Sequence, residues 1–544
     1  MEIIPAKIVS FSFLEAAVLV CFFPQVQPTG TLASFFFINS LINWTIFGIY
    51  HLIIYPFFLS PLRHLPQPRR GFIPIVGHGL SMFSQPPGNG HLKMMKNTAY
   101  DGIVYYRGLF HADRIIVASP AAIADILVHK SYDFQKPPLV ISFLRQFLGD
   151  GLLMTEGEQH RHDRKHIMPA FHFRHIRELC PVFWAKSMEL CKIVQADIAP
   201  KTDKVVEITH FSTQVTMDII GLAGLGREIG SLRNSDDELI RIFEEVLEPS
   251  TEKGLYFAAH MLFPPWFIKA LPWKLNQRVR SNMGELRRIC RGFVVEKKAR
   301  LKMGSEDSAD ILSIMIRSNN FSDDGLVDQL LTFLAAGHET TSSAFTWTTH
   351  LLATHPAIQS RLRREIHKAI PSPNALSDPS FDIAGLLEPL PYLNAVCNEV
   401  LRLYPTVPKT TRISTRDTTI DGHFVPKGTL SLIVPWATNR DPRWWGADAE
   451  KFMPKRWIDA ETGRTTMDGG AESNYLFLTF LHGPRSCIGE KFARAELRAL
   501  VAGFVGCFEV CMADPEEVVV AGGVVTIKPV NGMRLRLAPV GWSG

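Results

Sequence analysis

Residues 480–489 read FLHGPRSCIG, and that string admits few backbone paths. A single cysteine, Cys487, lies between two glycines, with Arg485 two positions before it. A thiolate that ligates a metal has to stay ionised and keep one direction, so the chain around it must turn tightly and bring backbone N–H groups near the sulfur. Gly483 permits such a turn by taking a positive φ, Gly489 lets a following helix approach closely, and Arg485 offers a fork of donors suited to a carboxylate. The plainer alternative is a buried cysteine in a loop ahead of a helix, because free cysteine is a common core residue. What the rest of the chain supplies decides between the two.

No Gly/Ser linker, internal repeat or charge block divides the 544 residues, so one large domain with an added segment is expected. Charged residues are scarce at one end: none of Asp, Glu, Lys or Arg occurs from 16 to 62. A net charge of +5 argues against a strongly basic nucleic-acid binder, and no nucleic-acid partner is expected. The eight cysteines contain no C-x-x-C pair, so a zinc site is not expected, and all but Cys487 read as reduced thiols of a body facing the cytosol.

Two apolar segments open the chain. Residues 3–23 are interrupted by Lys7 and Glu15, whereas residues 31–59 are richer in Phe, Ile and Leu and long enough to cross about 30 Å of hydrocarbon. The second is expected to be a transmembrane helix; the first either spans or lies in the interface. Arg63, Arg69 and Arg70 follow, which by the positive-inside rule places the body in the cytosol. A cleaved signal peptide is the rival reading of the first segment, but Pro24, Gln25 and Gln27 stand where a small-residue cleavage site would be. Prolines 66, 68 and 74 then make residues 65–78 a stiff spacer. The expected organisation is an anchor over 1–62, a hinge over 63–78 and a body over 79–544.

Within the body, residues 102–117 read as a β-hairpin and 121–129 as a short helix. Residues 157–171, GEQHRHDRKHIMPAF, predict a helix on which His160 and Arg164 share a face, although a solvated basic face would look the same. The Phe- and Trp-rich residues 255–273 read either as a surface that dips into lipid or as an internal core loop. A long helix is predicted from the Ser322 cap to His355-Pro356, and it contains AGHETT, residues 336–341. A mid-helix glycine costs about 1 kcal/mol relative to Ala, so Gly337 asks for a packing or functional reason. Thr340 has an ordinary alternative, a hydroxyl bonded back to the carbonyl one turn earlier. Residues 391–402 predict another helix with Glu399 and Arg402 on one face, and Arg456 in FMPKRW is the candidate third member of a buried ionic group. Asp421-Gly422 and Lys427-Gly428 read as turns between short strands.

Taken in order, these strings resemble cytochrome P450, and residues 65–78 resemble the proline-rich hinge of its microsomal members. The resemblance implies a mostly α fold with small β sheets, preceded by an N-terminal transmembrane anchor, in which residues 79–544 form a haem-thiolate catalytic domain. It implies haem b with Cys487 as the proximal thiolate, a ligand whose electron donation favours O–O cleavage, in a loop shaped by Phe480, Gly483, Arg485 and Gly489. Ala336 and Gly337 would open a groove for O2. Glu339 and Thr340 would manage protons, because heterolytic O–O cleavage needs protons at the distal oxygen while bulk solvent is kept out. Arg164, Arg412, Arg485 and His160, which stands where Trp is more usual, would face the haem propionates, and Glu399, Arg402 and Arg456 would hold the fold of the haem loop.

The implied activity is that of a membrane-bound monooxygenase. It would use O2 and electrons from NADPH, passed on by cytochrome P450 reductase, to oxidise a lipophilic small molecule at the endoplasmic reticulum membrane, with the catalytic domain cytosolic. Similarity to filamentous-fungal members points to a terpenoid or polyketide intermediate of secondary metabolite biosynthesis. Arg161, Lys165, Lys451, Lys455, Lys491, Arg494 and Arg498 form a candidate reductase-docking face, which ordinary surface solvation explains equally well. Two rivals remain: a haem-thiolate isomerase or dehydratase that needs no reductase, against which the acid–Thr pair argues, and a non-catalytic membrane haem carrier or sensor.

Overall fold

Helix Asp323–Thr354 is the element on which the others are stacked. Ser322 caps it by accepting the Gly325 N–H at 3.1 Å, Asp323 and Asp324 complement its positive end, and Pro356 follows its last turn. Most side chains from Leu326 to Leu352 are buried, so it runs through the middle of the molecule. Helices Ile208–Ile220, Lys274–Lys302, Pro391–Leu403 and Glu490–Cys507 pack around it. The computed structural model describes residues 3–22, 32–234, 238–247, 250–304, 310–370 and 381–542.

The sheets are small, and the fold is mostly α as expected. The predicted hairpin forms strands Ile103–Arg107 and Asp113–Val117, paired antiparallel. The second of these runs parallel to Leu430–Ile433, which pairs antiparallel with Thr410–Ser414, and Phe134–Gln135 closes the edge of a five-stranded sheet. Asp421 (φ 49°) and Gly422 (φ 77°) make the tight turn between Thr418–Ile420 and His423–Val425. Near the C-terminus, Ala521–Gly522 and Lys528–Pro529 form a two-stranded hairpin.

At the N-terminus, helices Ile3–Phe22 and Leu32–Ile49 pack together. Asn43 Nδ2 donates to Glu15 Oε2 at 2.7 Å and to Ser12 Oγ at 3.0 Å, so the acid that interrupts the first segment has its partner on the second. The second helix continues as a π-helical stretch Tyr50–Leu59 that contains Pro56. Ala33–Leu59, 27 residues, is long and apolar enough to cross a membrane. Pro24, Gln25 and Gln27, on which the argument against cleavage rests, lie outside the described residues. The far end of this helix is latched to the body: Ser60 Oγ donates to Asp113 Oδ2 at 2.6 Å, and the Arg107 guanidinium lies 4.2 Å from the Phe57 ring centre. In residues 255–273, Phe263, Trp266 and Phe267 are exposed while Tyr256 and Ile268 are buried.

Candidate active site

The cysteine loop is built as its glycines require. Gly483 has φ 74°, and a Cβ there would come within 2.2 Å of Leu127 O, so both the turn and the close backbone approach need glycine. Cys487 N–H donates to Phe480 O at 2.9 Å, which closes the loop. Gly489 is different: a Cβ there would stand 3.9 Å from Cys487 Sγ, an ordinary contact, so steric crowding does not explain it. What this position supplies is a backbone N–H directed at the sulfur. The Cys487 side chain is accessible yet deep in the protein. Burial pushes its thiol up to about 11, against the pull of the Gly489 N–H and Arg164. Such a sulfur is a thiolate at neutral pH only with a cation in front of it.

On the long helix, Ala336 is exposed although Ala335 and His338 beside it are buried. Ala336 and Thr340 line a cavity of about 440 Å³, together with Phe143, Leu148, Val407 and Val524. Gly337 serves packing: a Cβ would come within 2.9 Å of Ile220 Cδ1, at the crossing where Thr216 Oγ1 donates to His338 O at 3.0 Å. The Thr340 hydroxyl donates to Ala336 O at 2.9 Å, which leaves its lone pairs to accept. Glu339 is buried. Its Oε2 lies 2.8 Å from Lys528 Nζ, and its Oε1 accepts the Thr526 hydroxyl at 2.9 Å. Burial alone would raise this carboxyl, but Lys528, His338 and Thr526 outweigh it and hold it below the ordinary carboxylate value.

The four candidate propionate partners are not equivalent. Arg164 lies against the loop itself, donating to Ser486 O at 2.7 Å and Ser486 Oγ at 3.2 Å. Arg412 is buried and donates to Thr411 O at 2.8 Å; burial and then Arg485 push it down to about 10. Arg485 pairs with Glu156 and donates to Phe134 O at 2.7 Å, and its Nε has no partner among the described residues. His160 is buried with Nδ1 unpartnered, and burial followed by Arg485, Lys136 and Arg164 brings it down to about 4, so it is neutral. Lys136, which no motif marked, joins the group at 3.4 Å from Glu156 Oε1, and burial and Arg412 push it down to about 8. Around the one carboxylate of Glu156, the cations Lys136, Arg412 and Arg485 leave an excess of two positive charges. That excess matches two propionates.

Behind the loop, Glu399, Arg402 and Arg456 come together: Arg402 forks onto Glu399 at 2.7 and 2.8 Å, and Arg456 Nε reaches it at 3.0 Å. Trp457 Nε1 and Met453 N–H also donate to Glu399, both at 2.9 Å. Asn439, likewise unmarked by any motif, carries this group to the chain leading into Phe480: its Oδ1 accepts the Leu478 N–H at 3.0 Å and its Nδ2 donates to Thr479 Oγ1 at 3.1 Å. The only sequence hint was a polar residue between two strong motifs.

A helix-borne acid–hydroxyl pair over an apolar cavity, a cysteine directed by a backbone N–H, and a cationic group sized for two carboxylates define a haem-thiolate protein. The cytochrome P450 family model matches residues 66–531. Among curated proteins, the chain is similar to cytochrome P450 monooxygenase sphH of Aspergillus fumigatus, 40% identical over 502 residues that cover 91% of each chain. It is also similar to cytochrome P450 monooxygenase ptmK of Penicillium ochrochloron, at 38% over 510 residues, 93% of this chain and 99% of that one. Cytochrome P450 monooxygenase FUM15 of Gibberella moniliformis is 36% identical over 546 residues, 90% of this chain and 91% of its own. The chain belongs to the cytochrome P450 family and is a cytochrome P450 monooxygenase.

Proposed function

We propose that this enzyme is anchored in the endoplasmic reticulum membrane by Ala33–Leu59 with its catalytic domain in the cytosol, and receives electrons from NADPH through cytochrome P450 reductase. Its substrate is a lipophilic intermediate of secondary metabolism, of terpenoid or polyketide type. The observation that carries the substrate class is the cavity ending at Ala336 and Thr340, whose wall is dominated by Phe143, Phe147, Leu148, Val279 and Val524. Apolar walls select a lipophilic molecule, and the polar groups set among them orient it.

Haem, when bound, supplies the iron chemistry that activates O2. Cys487 is the residue to hold its iron, with the Gly489 N–H directing the sulfur. Lys136, Arg412 and Arg485 balance its carboxylates, while Arg164 braces the loop at Ser486. Thr340 accepts a hydrogen bond from a water or protonated oxygen in the cavity, and Glu339, kept ionised beside Lys528, orients the donors that replenish it. The anchor and the exposed Phe263, Trp266 and Phe267 support entry of substrate from the bilayer.

The test is reconstitution with reductase and NADPH, together with metabolite profiling of a deletion strain. Reduced protein exposed to carbon monoxide should give the red-shifted absorption of thiolate-ligated haem, lost in Cys487→Ser, and product should form only with reductase and O2. Turnover without reductase would replace this reading with an isomerase.

A further inference from the structure

The Glu339–Lys528 pair lies on the cavity wall, and both side chains are less than one-tenth exposed. Lys528 is held there by its hairpin. The hairpin reverses at Gly523 (φ 133°), where a Cβ would come within 1.9 Å of Thr526 O, so only glycine fits. It is tied to the long helix by Ser343 Oγ, one turn beyond Glu339, which donates to Ile527 O, and to the segment after Pro391–Leu403 by Ile527 N–H, which donates to Thr406 O at 3.0 Å. Thr526 Oγ1 adds the hydrogen bond to Glu339 already described. The ammonium therefore keeps a fixed position beside Glu339, one residue before Thr340.

An ammonium has three N–H donors, and the ion pair of Lys528 Nζ with Glu339 Oε2 at 2.8 Å engages at most one of them. Among the described residues Lys528 Nζ has no second acceptor. Ala335, Val407, Val524 and Val525 give the cavity wall apolar stretches, while Glu245, Glu252, Lys253, Arg278 and Asn282 also line it. A charged donor on the wall of a cavity that a ligand empties of water is costly to leave unmatched, so a ligand atom that accepts from it is favoured. Charge then decides which acceptor. Lys528 is already neutralised by Glu339, and an anion brought to it would also meet the Glu339 carboxylate at close range in a desolvated cavity. A neutral oxygen takes the N–H without adding a charge.

We propose that Lys528 is a specificity-determining residue that binds a neutral oxygen acceptor, a ketone or ester carbonyl, on an otherwise lipophilic substrate, and so fixes which carbon lies against Thr340. This rests on the monooxygenase reading above and gives its substrate a functional group.

The test is calorimetric titration of the holoenzyme, already shown by its carbon monoxide spectrum to hold thiolate-ligated haem, with two probes of equal chain length, 2-undecanone and undecanoate. In the wild type the ketone binds at least about tenfold more tightly than the carboxylate. Lys528→Met loses that advantage. Glu339→Gln, which leaves Lys528 charged and unbalanced, reverses the order, so that undecanoate binds better. Should Lys528→Met not fold because Glu339 is left unpaired, the double variant with Glu339→Gln removes both charges and loses the ketone preference in the same way. Ketone binding unchanged by loss of Lys528, a wild type that prefers the carboxylate, or no binding of either probe overturns the proposal. A protein without the thiolate spectrum fails the earlier reading instead, so the two failures are distinguishable.

Discussion

Arg402 and Asn439 exchange hydrogen bonds in both directions: Arg402 Nη1 donates to Asn439 O at 2.6 Å, and Asn439 Nδ2 donates to Arg402 O at 3.1 Å. Because the same asparagine binds Leu478 and Thr479, the buried ionic group is one residue removed from the chain that enters the cysteine loop. Asn439→Ala leaves the Leu478 N–H without its acceptor in the core. The expected loss is about 1–3 kcal/mol of stability. Thermal unfolding of the holoprotein measures that loss, and a larger share of non-thiolate haem in the reduced carbon monoxide spectrum reports the loosened loop. An unchanged spectrum would confine Asn439 to stability alone.

Glu399 is fully buried and binds two arginines, so its removal takes from the buried Arg402 the carboxylate on which it forks. Burial would raise its carboxyl, but Arg402, Arg456 and Trp457 hold it below the ordinary value. A carboxylate lowered on folding contributes stability that is present above its unfolded pKa and is lost as pH falls through its folded one. Urea unfolding of the wild type should therefore show stability falling as pH drops below about 4.5. Glu399→Gln should be weaker by about 3–5 kcal/mol near neutrality and should lose less on acidification. Parallel acid limbs would mean that other groups govern the acid transition.

Residues whose chemistry fixes local spacing were legible in the sequence. Cys487 sits between Gly483, which makes the turn, and Gly489, whose N–H meets the sulfur, Glu399 and Arg402 are one helical turn apart, and Ser322 with two acids after it marks the start of the long helix. What was not legible came from chain segments meeting across the fold. Lys136 reaches Glu156 and the cations around it because Phe134–Gln135 joins the sheet edge beside Thr410–Ser414, and the parallel pairing of Asp113–Val117 with Leu430–Ile433 leaves no local pattern. Lys528 meets Glu339 only after a hairpin near the C-terminus folds onto the long helix. Gly337 stood inside a recognisable motif, yet its contact with Ile220 depends on a helix crossing that the motif does not contain.

Lys136 offers a test of the cationic group that is independent of any motif. Replacing it with Met removes one positive charge beside Arg412 and Arg485 and leaves Glu156 with Arg485 as ion-pair partner and the backbone N–H of residue 136 as donor. Haem should then leave roughly tenfold faster, the loss of one charge-assisted hydrogen bond. Transfer of haem to excess apomyoglobin measures the rate. An equal rate would mean that Arg412 and Arg485 suffice.

The basic residues proposed as a docking face differ in how freely they are presented. Arg494 donates to Glu490 at 2.9 Å and Arg498 to Asn394 at 3.1 Å, and both are partly buried, whereas Lys165, Lys455 and Lys491 are exposed. Lys491→Glu combined with Lys165→Glu should weaken reductase affinity at low salt, with the difference shrinking as salt screens it. Arg498→Gln should not change the salt dependence. Affinity indifferent to both lysines would place the reductase elsewhere.

Thr340 donates its proton to Ala336 O, so its service to the cavity is as an acceptor. Thr340→Ser keeps that oxygen and Thr340→Val keeps only the shape, which makes the pair more informative than alanine alone. With Val, the hydrogen-bonded water or oxygen loses its anchor, and NADPH consumption should turn toward hydrogen peroxide, with product per NADPH falling several-fold; Ser should restore most of it. General acid–base groups of this kind contribute about 10²–10⁴ in rate, so a several-fold change is a conservative expectation. Glu339 adds a pH signature. Because Lys528, His338 and Thr526 together outweigh burial and keep its carboxyl below the ordinary value, it remains ionised from mildly acidic to alkaline pH. Coupling in the wild type should accordingly be flat between about pH 6 and 8, whereas Lys528→Met, which leaves Glu339 buried without its cation, raises that carboxyl and should make coupling pH-dependent in this range. Peroxide release and product measured together across the pH series decide it: equal coupling in Thr340→Val and the wild type would remove Thr340 from the relay, and a flat profile in Lys528→Met would remove Glu339.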